Sequence, residues 1–415
     1  MMIRVLSLAA ILVLVTCADD RPYLSGHIKR ATDAILTPCD PYNRGDLHSC
    51  VVYASVFSQK LVVYDASAEE MVLSPMVYFP LAIKVGSATS DLALIKGSKK
   101  PPFFLALDHS EPAVYVIRNF PSADKSQLSF AKASKLKLTI NPASMAAYLS
   151  PTHAVVILSY PDSGELELLS FDQNSGLRDE SVAPERIKVG SSPTEILIND
   201  EANIAYIIDA GSSDVWSLDL VSKTPRPIKV GGPVDQIFHS QRDLGAGSKN
   251  YLAVLSKANN ELRLINADDN IIEANLIVDE YPMTVYFPDT NAQPCCDGEK
   301  NWLAVAGIKG KLFTIPIKQN AGKLSLEKPV ITDLTSEKNL VLSKLHLRKI
   351  LGGKIEFDAS LNRPVQCPNG RNIYFISSYG SDRVRLLGQE SYEVEAQGYA
   401  CEGEASASRL GYKKE

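Results

Sequence analysis

The sequence predicts an all-β protein, a seven-bladed β-propeller closed into one ring, and three observations carry that expectation. Short stretches rich in Val, Ile, Tyr and Phe alternate apolar with polar residues and are cut by Gly, Pro, Asn, Asp and Ser, the pattern of many short antiparallel strands. A near-identical pentapeptide recurs, as Ile83-Lys84-Val85-Gly86-Ser87, Ile187-Lys188-Val189-Gly190-Ser191 and Ile228-Lys229-Val230-Gly231-Gly232. The last two copies lie 41 residues apart and the first two 104, the length of two longer units. Each unit also holds a hairpin. A unit of about 40 to 55 residues with roughly four strands cannot bury both sheet faces alone, so it packs against neighbours around an axis.

Seven hairpins follow in order. They are Val51–Val63 turning near Gln59, Phe103–Ile117 around His109-Ser110-Glu111, Ala154–Leu169 around Pro161–Gly164, and Ile204–Leu218 around Gly211–Ser213. Tyr251–Ile265 around Asn259-Asn260, Trp302–Ile315 around Lys309-Gly310, and Ile373–Leu387 around Gly380-Ser381 complete the set. A further short strand precedes most of them, as at Asp91–Ile95, Glu195–Ile198, Gln236–Phe238 and Thr284–Phe287, with Lys354–Phe357 taken for the seventh. Pro101-Pro102 and Ser122–Lys137 read as loops. The repeated Val-Gly reads as a turn that tolerates positive φ where one blade hands over to the next. Neither a GxGxxG nor a P-loop pattern is present to give it a phosphate role.

The best-defined unit runs from Val189-Gly190-Ser191-Ser192-Pro193 through Ile204–Asp209 and Gly211–Trp216 to Asp219. It resembles the YVTN-type β-propeller repeat, with its V-G-x-x-P opening, Y-V-like strand, Ser/Asn turn and apolar-x-apolar-Asp ending. The resemblance is strong over this blade and partial over Lys229 to Asn266; elsewhere it is only a pattern match. Pro288–Lys300 departs most and reads as an insertion in blade six.

Met1–Arg4 and the 11-residue apolar run Val5–Val15 form a signal peptide, since such a run is too short for a bilayer of about 30 Å. Its end, Leu14-Val15-Thr16-Cys17, resembles a bacterial lipobox with Thr16 in place of the usual small residue; that resemblance implies cleavage before Cys17 and lipidation of its thiol. Ala18 at the next position then implies the outer membrane. The alternative is ordinary cleavage after Ala18, giving a periplasmic or secreted protein. Residues 1–17 are thus the signal, 18–30 a tether, 31–401 the propeller and 402–415 a polar tail. Length alone, 415 residues, suggests two or three domains, but the repeats assign nearly all of the mature chain to one.

Of seven cysteines, Cys17 belongs to the export signal, which leaves Cys39, Cys50, Cys295, Cys296, Cys367 and Cys401 as disulfide candidates in an oxidising compartment. Cys39 and Cys50 flank a polar loop, Cys367 and Cys401 could tie down the C-terminal segment, and Cys295-Cys296 are left to each other or to another partner. Vicinal disulfides also occur in quinone-dependent dehydrogenase propellers, but this chain has two tryptophans and lacks their docking motifs. With no CxxC and no ligand spacing among six histidines, neither a metal nor a cofactor is expected.

A net charge of −5 excludes a chain built to neutralise phosphates, so no nucleic acid is expected as partner. Acidic residues recur where the inner strands begin, at Asp33, Asp91, Glu195 and Asp235, while His109 stands near a hairpin turn and His239 near the end of an inner strand. These six are the ligand-face candidates, weighed against ordinary turn-bonding roles; no catalytic residue is assigned. The main expectation is a non-enzymatic envelope scaffold presenting its loop faces to a surface protein or a polymer, touching the membrane only through its lipid. The competing one is a lactonase-like hydrolase acting on a sugar lactone at the channel mouth, by analogy of fold.

Overall fold

The computed structural model describes residues 31–39, 48–55, 59–65, 70–71, 82–95, 103–119, 130–199, 203–240, 244, 250–278, 281–287, 301–307, 311–320, 322–333, 342–351, 370–378 and 383–388. These residues form strands and turns arranged in seven antiparallel sheets. Sheet 1 is β1 (Ala31–Cys39), β2 (His48–Ser55) and β3 (Lys60–Asp65), with the short β4 (Glu70–Met71) and β5 (Ala82–Lys84) both on the outer side of β3. Sheet 2 runs β6 (Thr89–Leu94), β7 (Phe103–Asp108), β8 (Ala113–Asn119), β9 (Phe130–Lys137), and sheet 3 runs β10 (Ser144–Leu149), β11 (Ala154–Tyr160), β12 (Glu165–Phe171), β13 (Glu185–Lys188). Sheet 4 is β14 (Pro193–Asn199), β15 (Ile204–Asp209), β16 (Asp214–Asp219), β17 (Pro225–Lys229); sheet 5 is β18 (Gln236–His239), β19 (Tyr251–Ser256), β20 (Glu261–Asn266), β21 (Ile271–Ile277). In sheet 6, β22 (Pro282–Tyr286), β23 (Asn301–Gly307) and β24 (Lys311–Asn320) are edged by β25 (Lys323–Leu326) and β26 (Val330–Asp333), while sheet 7 shows β27 (Leu342–Leu351), β28 (Gly370–Ser378) and β29 (Arg383–Gly388).

All seven predicted hairpins are present as second and third strands of these sheets. Two expectations are corrected. The first strand of sheet 7 is β27, Leu342–Leu351, whereas Lys354–Phe357 lie outside the described residues. The second half of the expected loop Ser122–Lys137 is the strand β9. Both strands carry several lysines or arginines, which hide the apolar alternation; on the outer edge of sheet 2, Lys135 and Lys137 are exposed, a charge placement that protects an unpaired edge from pairing with another chain.

The first strands stand side by side in the order β1, β6, β10, β14, β18, β22, β27, and β27 returns to β1. Ring closure in this order leaves no inner sheet edge unaccompanied, the arrangement of a propeller. The second strands explain how the core is built. Successive side chains point to opposite faces, so in β7 Phe104 and Ala106 pack on sheet 1 beside Val52 and Ala54, while Phe103, Leu105 and Leu107 pack on sheet 3 beside Val156 and Leu158. The same division joins sheet 3 to 4, 4 to 5 and 5 to 6. A strand buried on both faces needs no polar positions, which is why Phe103–Asp108, Ala154–Tyr160 and Tyr251–Ser256 are buried throughout. Fully burying each large aliphatic or aromatic side chain contributes about 1.5–3 kcal/mol.

The repeated Val-Gly lies at the handover between sheets, as expected, and Gly190 and Gly231 have φ of +65° and +77°. Gly86 is not among the positive-φ residues; what excludes a side chain there is space, since a Cβ would fall inside the Asp108 carboxylate.

Candidate functional site

Two loop faces bracket the ring. One is built from the handover turns and the turns between second and third strands; the other from the connections between first and second and between third and fourth strands.

On the handover face, two buried aspartates organise the turns. Asp209, at the end of β15, accepts hydrogen bonds from the backbone N–H groups of Ser191 (3.1 Å), Ser192 (2.6 Å) and Gly211 (3.2 Å) and from the Ser212 hydroxyl (2.9 Å). Burial pushes its pKa up, but these donors outweigh burial and hold it below the ordinary aspartate value. Asp108, at the same position in sheet 2, accepts from Ala88 N (3.0 Å) and Ser110 N (2.9 Å).

The acidic candidates share a register position. Five first strands carry a register shift near their start, a bulge that re-aims the side chain there. Asp33 and Asp91 face the next-to-last residue of the second strand, as do Ser144, Gln236, Thr284 and Lys344 in other sheets. Glu195 lies inside the sheet 4 bulge between Pro193 and Ile196. The ring is therefore only partly acidic. Asp33 is 4% exposed and accepts a 2.8 Å hydrogen bond from Leu92 N on the next first strand. Gln236 does the same for Val285 N, also at 2.8 Å, so this position ties one sheet to the next. Asp235 stands one residue earlier, exposed, and accepts from Lys257 N at 2.7 Å. His109 is in the β7–β8 turn, its N–H donated to Ala88 O at 3.0 Å.

His239 does not share that face. The four-residue β18 starts at the handover and ends at His239, which places the histidine at the opposite end. Its ring is buried between the first strands of sheets 4 and 5, Nε2 being 2.9 Å from Ile198 O and Nδ1 3.2 Å from Ser240 O. Nearby, Asn199 donates to Asn250 (3.1 Å) and Asn250 to Asp268 (2.6 Å). The Tyr206 hydroxyl is buried beside them, and burial, reinforced by the charge of Asp268, pushes its pKa far up.

The histidine and carboxylate brought together are His153 and Asp179, with Nε2 3.0 Å from Oδ2. His153 lies in the β10–β11 turn and Asp179 in the connection 172–184 between β12 and β13. That connection is fixed from within: Asp172 N donates to Leu177 O at 2.8 Å and Asp179 N to Ser170 O at 2.9 Å. Periodicity could not reveal Asp179, because it sits outside any strand and 26 residues from its partner. Along the same face, large apolar side chains stand exposed: Leu177 (54%) and Val182 in sheet 3, Val221 (77%) in the β16–β17 turn, and Ile271 and Ile272 at the start of β21.

Cys39 and Cys50 fall within paired strands, Cys39 opposite His48 and Cys50 opposite Thr37. Cys17, Cys295, Cys296, Cys367 and Cys401 lie outside the described residues, as do the signal segment and the tail. Among the described residues, no three His, Cys, Asp or Glu side chains are grouped to hold a metal ion, and no helix is long and apolar enough to cross a membrane.

The sheets and their ring define the class: an all-β protein with a propeller-like fold. No family model matches the chain. Nor does any curated protein match it in sequence. Solved structures do. The chain is similar to BBS1N in complex with ARL6DN (TM-score 0.53, 10% identity, covering 85% of this chain and 90% of that one). It is also similar to hydrazine synthase of Kuenenia stuttgartiensis (0.52, 13%, 88% and 98%) and to a streptogramin B lyase (0.50, 8%, 85% and 97%). These neighbours share the fold and include both a protein-binding propeller and enzymes.

Proposed function

We propose that this chain is a seven-bladed propeller of the bacterial cell envelope that acts as a binding scaffold, docking a protein partner on the face opposite the handover turns. The observation that carries this reading is the apolar arc. Leu177 and Val182 lie in the third-to-fourth-strand connection of sheet 3 and Val221 in that of sheet 4, while Ile271 and Ile272 open the fourth strand of sheet 5, all exposed to solvent. Exposed apolar groups that line up across neighbouring elements mark an interaction site more than scattered ones do. Their aliphatic character suits the dry centre of a protein interface. The seven sheets and the return of β27 to β1 support the blade count. BBS1N, solved with ARL6DN bound, is a precedent for protein binding on this fold.

Export and lipidation at Cys17 complete the proposal. A tether of residues 18–30, each reaching at most about 3.5 Å, would keep the ring close to the outer membrane. Capture from envelope extract with the full-length lipoprotein as bait tests the docking face. Partner recovery is expected to fall at least tenfold in the triple variant Leu177→Asp, Val221→Asp, Ile271→Asp and to persist in Ile140→Asp, an exposed apolar residue at a handover. Equal recovery from the triple variant would sink the assignment of this face.

A further inference from the structure

We propose that Thr152, His153 and Asp179 form a hydroxyl–imidazole–carboxylate relay that takes acyl groups from small activated esters, with the Thr152 hydroxyl as nucleophile. Thr152 Oγ1 lies 2.8 Å from Nδ1 of His153, whose Nε2 lies 3.0 Å from Oδ2 of Asp179. A carboxylate only accepts, so Nε2 carries the ring proton and Nδ1 presents its lone pair to the hydroxyl. Nucleophile, base and a third group that orients the base are the parts acyl transfer requires.

Both ends are held. Ser150 N and Ser150 Oγ donate to His153 O at 2.8 and 2.9 Å, and His153 N donates back to Ser150 Oγ at 3.1 Å, fixing the turn that carries the first two residues. Asp179 is oriented by the Ser181 hydroxyl (2.6 Å) and backbone N–H (3.0 Å), which hold its carboxyl below the ordinary range and so keep it a charged acceptor. His153 and Asp179 are 30% and 28% exposed, open to a ligand yet partly shielded. Thr152's own N–H makes no hydrogen bond among the described residues, which leaves a donor beside the nucleophile for a developing oxyanion. Leu177 and Val182, on the Asp179 connection, offer aliphatic surface, and the exposed Glu180 is paired with Arg178 at 3.9 Å, so these two charges offset each other and select no ion. The substrate class is accordingly an uncharged aryl ester with a short acyl chain.

In the step, Thr152 Oγ1 bonds to the ester carbonyl carbon while its proton passes to Nδ1 and the carbonyl electron pair moves to oxygen. Collapse breaks the bond to the aryloxide, which leaves with that proton, and Thr152 is acylated. Water repeats the sequence, releasing the carboxylic acid and restoring the hydroxyl.

The test uses the full chain and p-nitrophenyl acetate. Peptide mass spectrometry is expected to place the acetyl group on Thr152, and Thr152→Ser should keep the labelling. Thr152→Val should abolish it, and His153→Asn and Asp179→Asn should slow it at least tenfold with the unfolding midpoint unchanged. Acetylation confined to other residues, or equal labelling in Thr152→Val or His153→Asn, would overturn the relay. Partner capture by Thr152→Val is expected at the wild-type level, so failure here is separate from failure of the docking face.

Discussion

Replacing Asp209 with alanine removes the acceptor on which the sheet 3 to sheet 4 handover turns. Three backbone N–H groups, of Ser191, Ser192 and Gly211, point at this carboxylate, which is 2% exposed. Hydrogen bonds to a charged group are worth about 1.5–3 kcal/mol each. The low end applies, because Ser191 and Gly211 are exposed and water can replace the lost acceptor, and the buried charge itself carries a desolvation cost. A loss of about 3–4 kcal/mol follows, with Asp209→Asn, which keeps one acceptor oxygen, losing about half. Urea unfolding at an unchanged m-value reads this as a shift in midpoint. Trp216 serves as the optical probe, since its indole nitrogen packs over the adjoining Gly190. The sign of the pH dependence is fixed as well. The native carboxyl is held below its unfolded value, so its contribution is complete above the unfolded aspartate pKa of about 3.9 and is lost as pH falls through the native value. The gap between wild type and Asp209→Ala should therefore narrow below pH 4. A variant within about 1 kcal/mol of wild type, or a gap that stays constant into acid, would falsify the account of this turn.

Three glycines separate steric from conformational cost. Gly86→Ala forces the Asp108 carboxylate off Ala88 N and Ser110 N and is expected to cost about 2–4 kcal/mol, whereas Gly322→Ala, at φ +81° with nothing within 4 Å, should cost only about 1–2 kcal/mol. Gly190→Ala combines positive φ with the Asp209 carboxylate and Trp216 in its path, so its unfolding midpoint should fall at least as far as that of Gly86→Ala. Tyr115 is pushed up to about 12 by burial and then by its hydrogen bond to Glu111. A phenol whose native pKa is raised stabilises the fold below its unfolded value of about 10 and loses that contribution as pH rises through the native one. Ultraviolet titration should show one tyrosine leaving the pH 12 region in Tyr115→Phe and moving toward 10 in Glu111→Gln; no change in either variant would refute the assignment.

The difference between what was legible in this sequence and what was not follows from burial. Second strands such as Ile204–Asp209 have both faces against neighbouring sheets, so their sequence is shaped by packing alone and announces itself. Outer strands answer to water on one side and to the need to discourage edge pairing on the other; the lysines that meet that need in Phe130–Lys137 erase the alternation a reader looks for. Side-chain roles were harder again. Asp33 and Gln236 serve the same purpose, receiving the N–H of the next first strand, yet one is an acid and the other an amide, and only register reveals the equivalence. Reading acidity as the signal selected Asp235, which is one residue out of place, and passed over Gln236.

The His153–Asp179 pair and the apolar arc were out of reach for a related reason. Both lie in or beside connections whose lengths differ from sheet to sheet: 13 residues between Phe171 and Glu185, five between Asp219 and Pro225, four between Asn266 and Ile271. A repeat constrains the strands and frees those connections, so any chemistry particular to this chain accumulates where periodicity carries no information. This ordering ranks the experiments. Variants at the shared inner positions, Asp33 and Gln236, should act through stability alone, since each accepts a backbone N–H of the next first strand and so joins one sheet to another. Loss of partner capture or of acyl transfer without loss of stability is expected only from residues such as Leu177, Val221 and Thr152. If Asp33→Asn abolished capture while leaving the unfolding midpoint unchanged, the division of labour between strands and connections would be wrong, and the ring of first strands would have to be reconsidered as the binding surface.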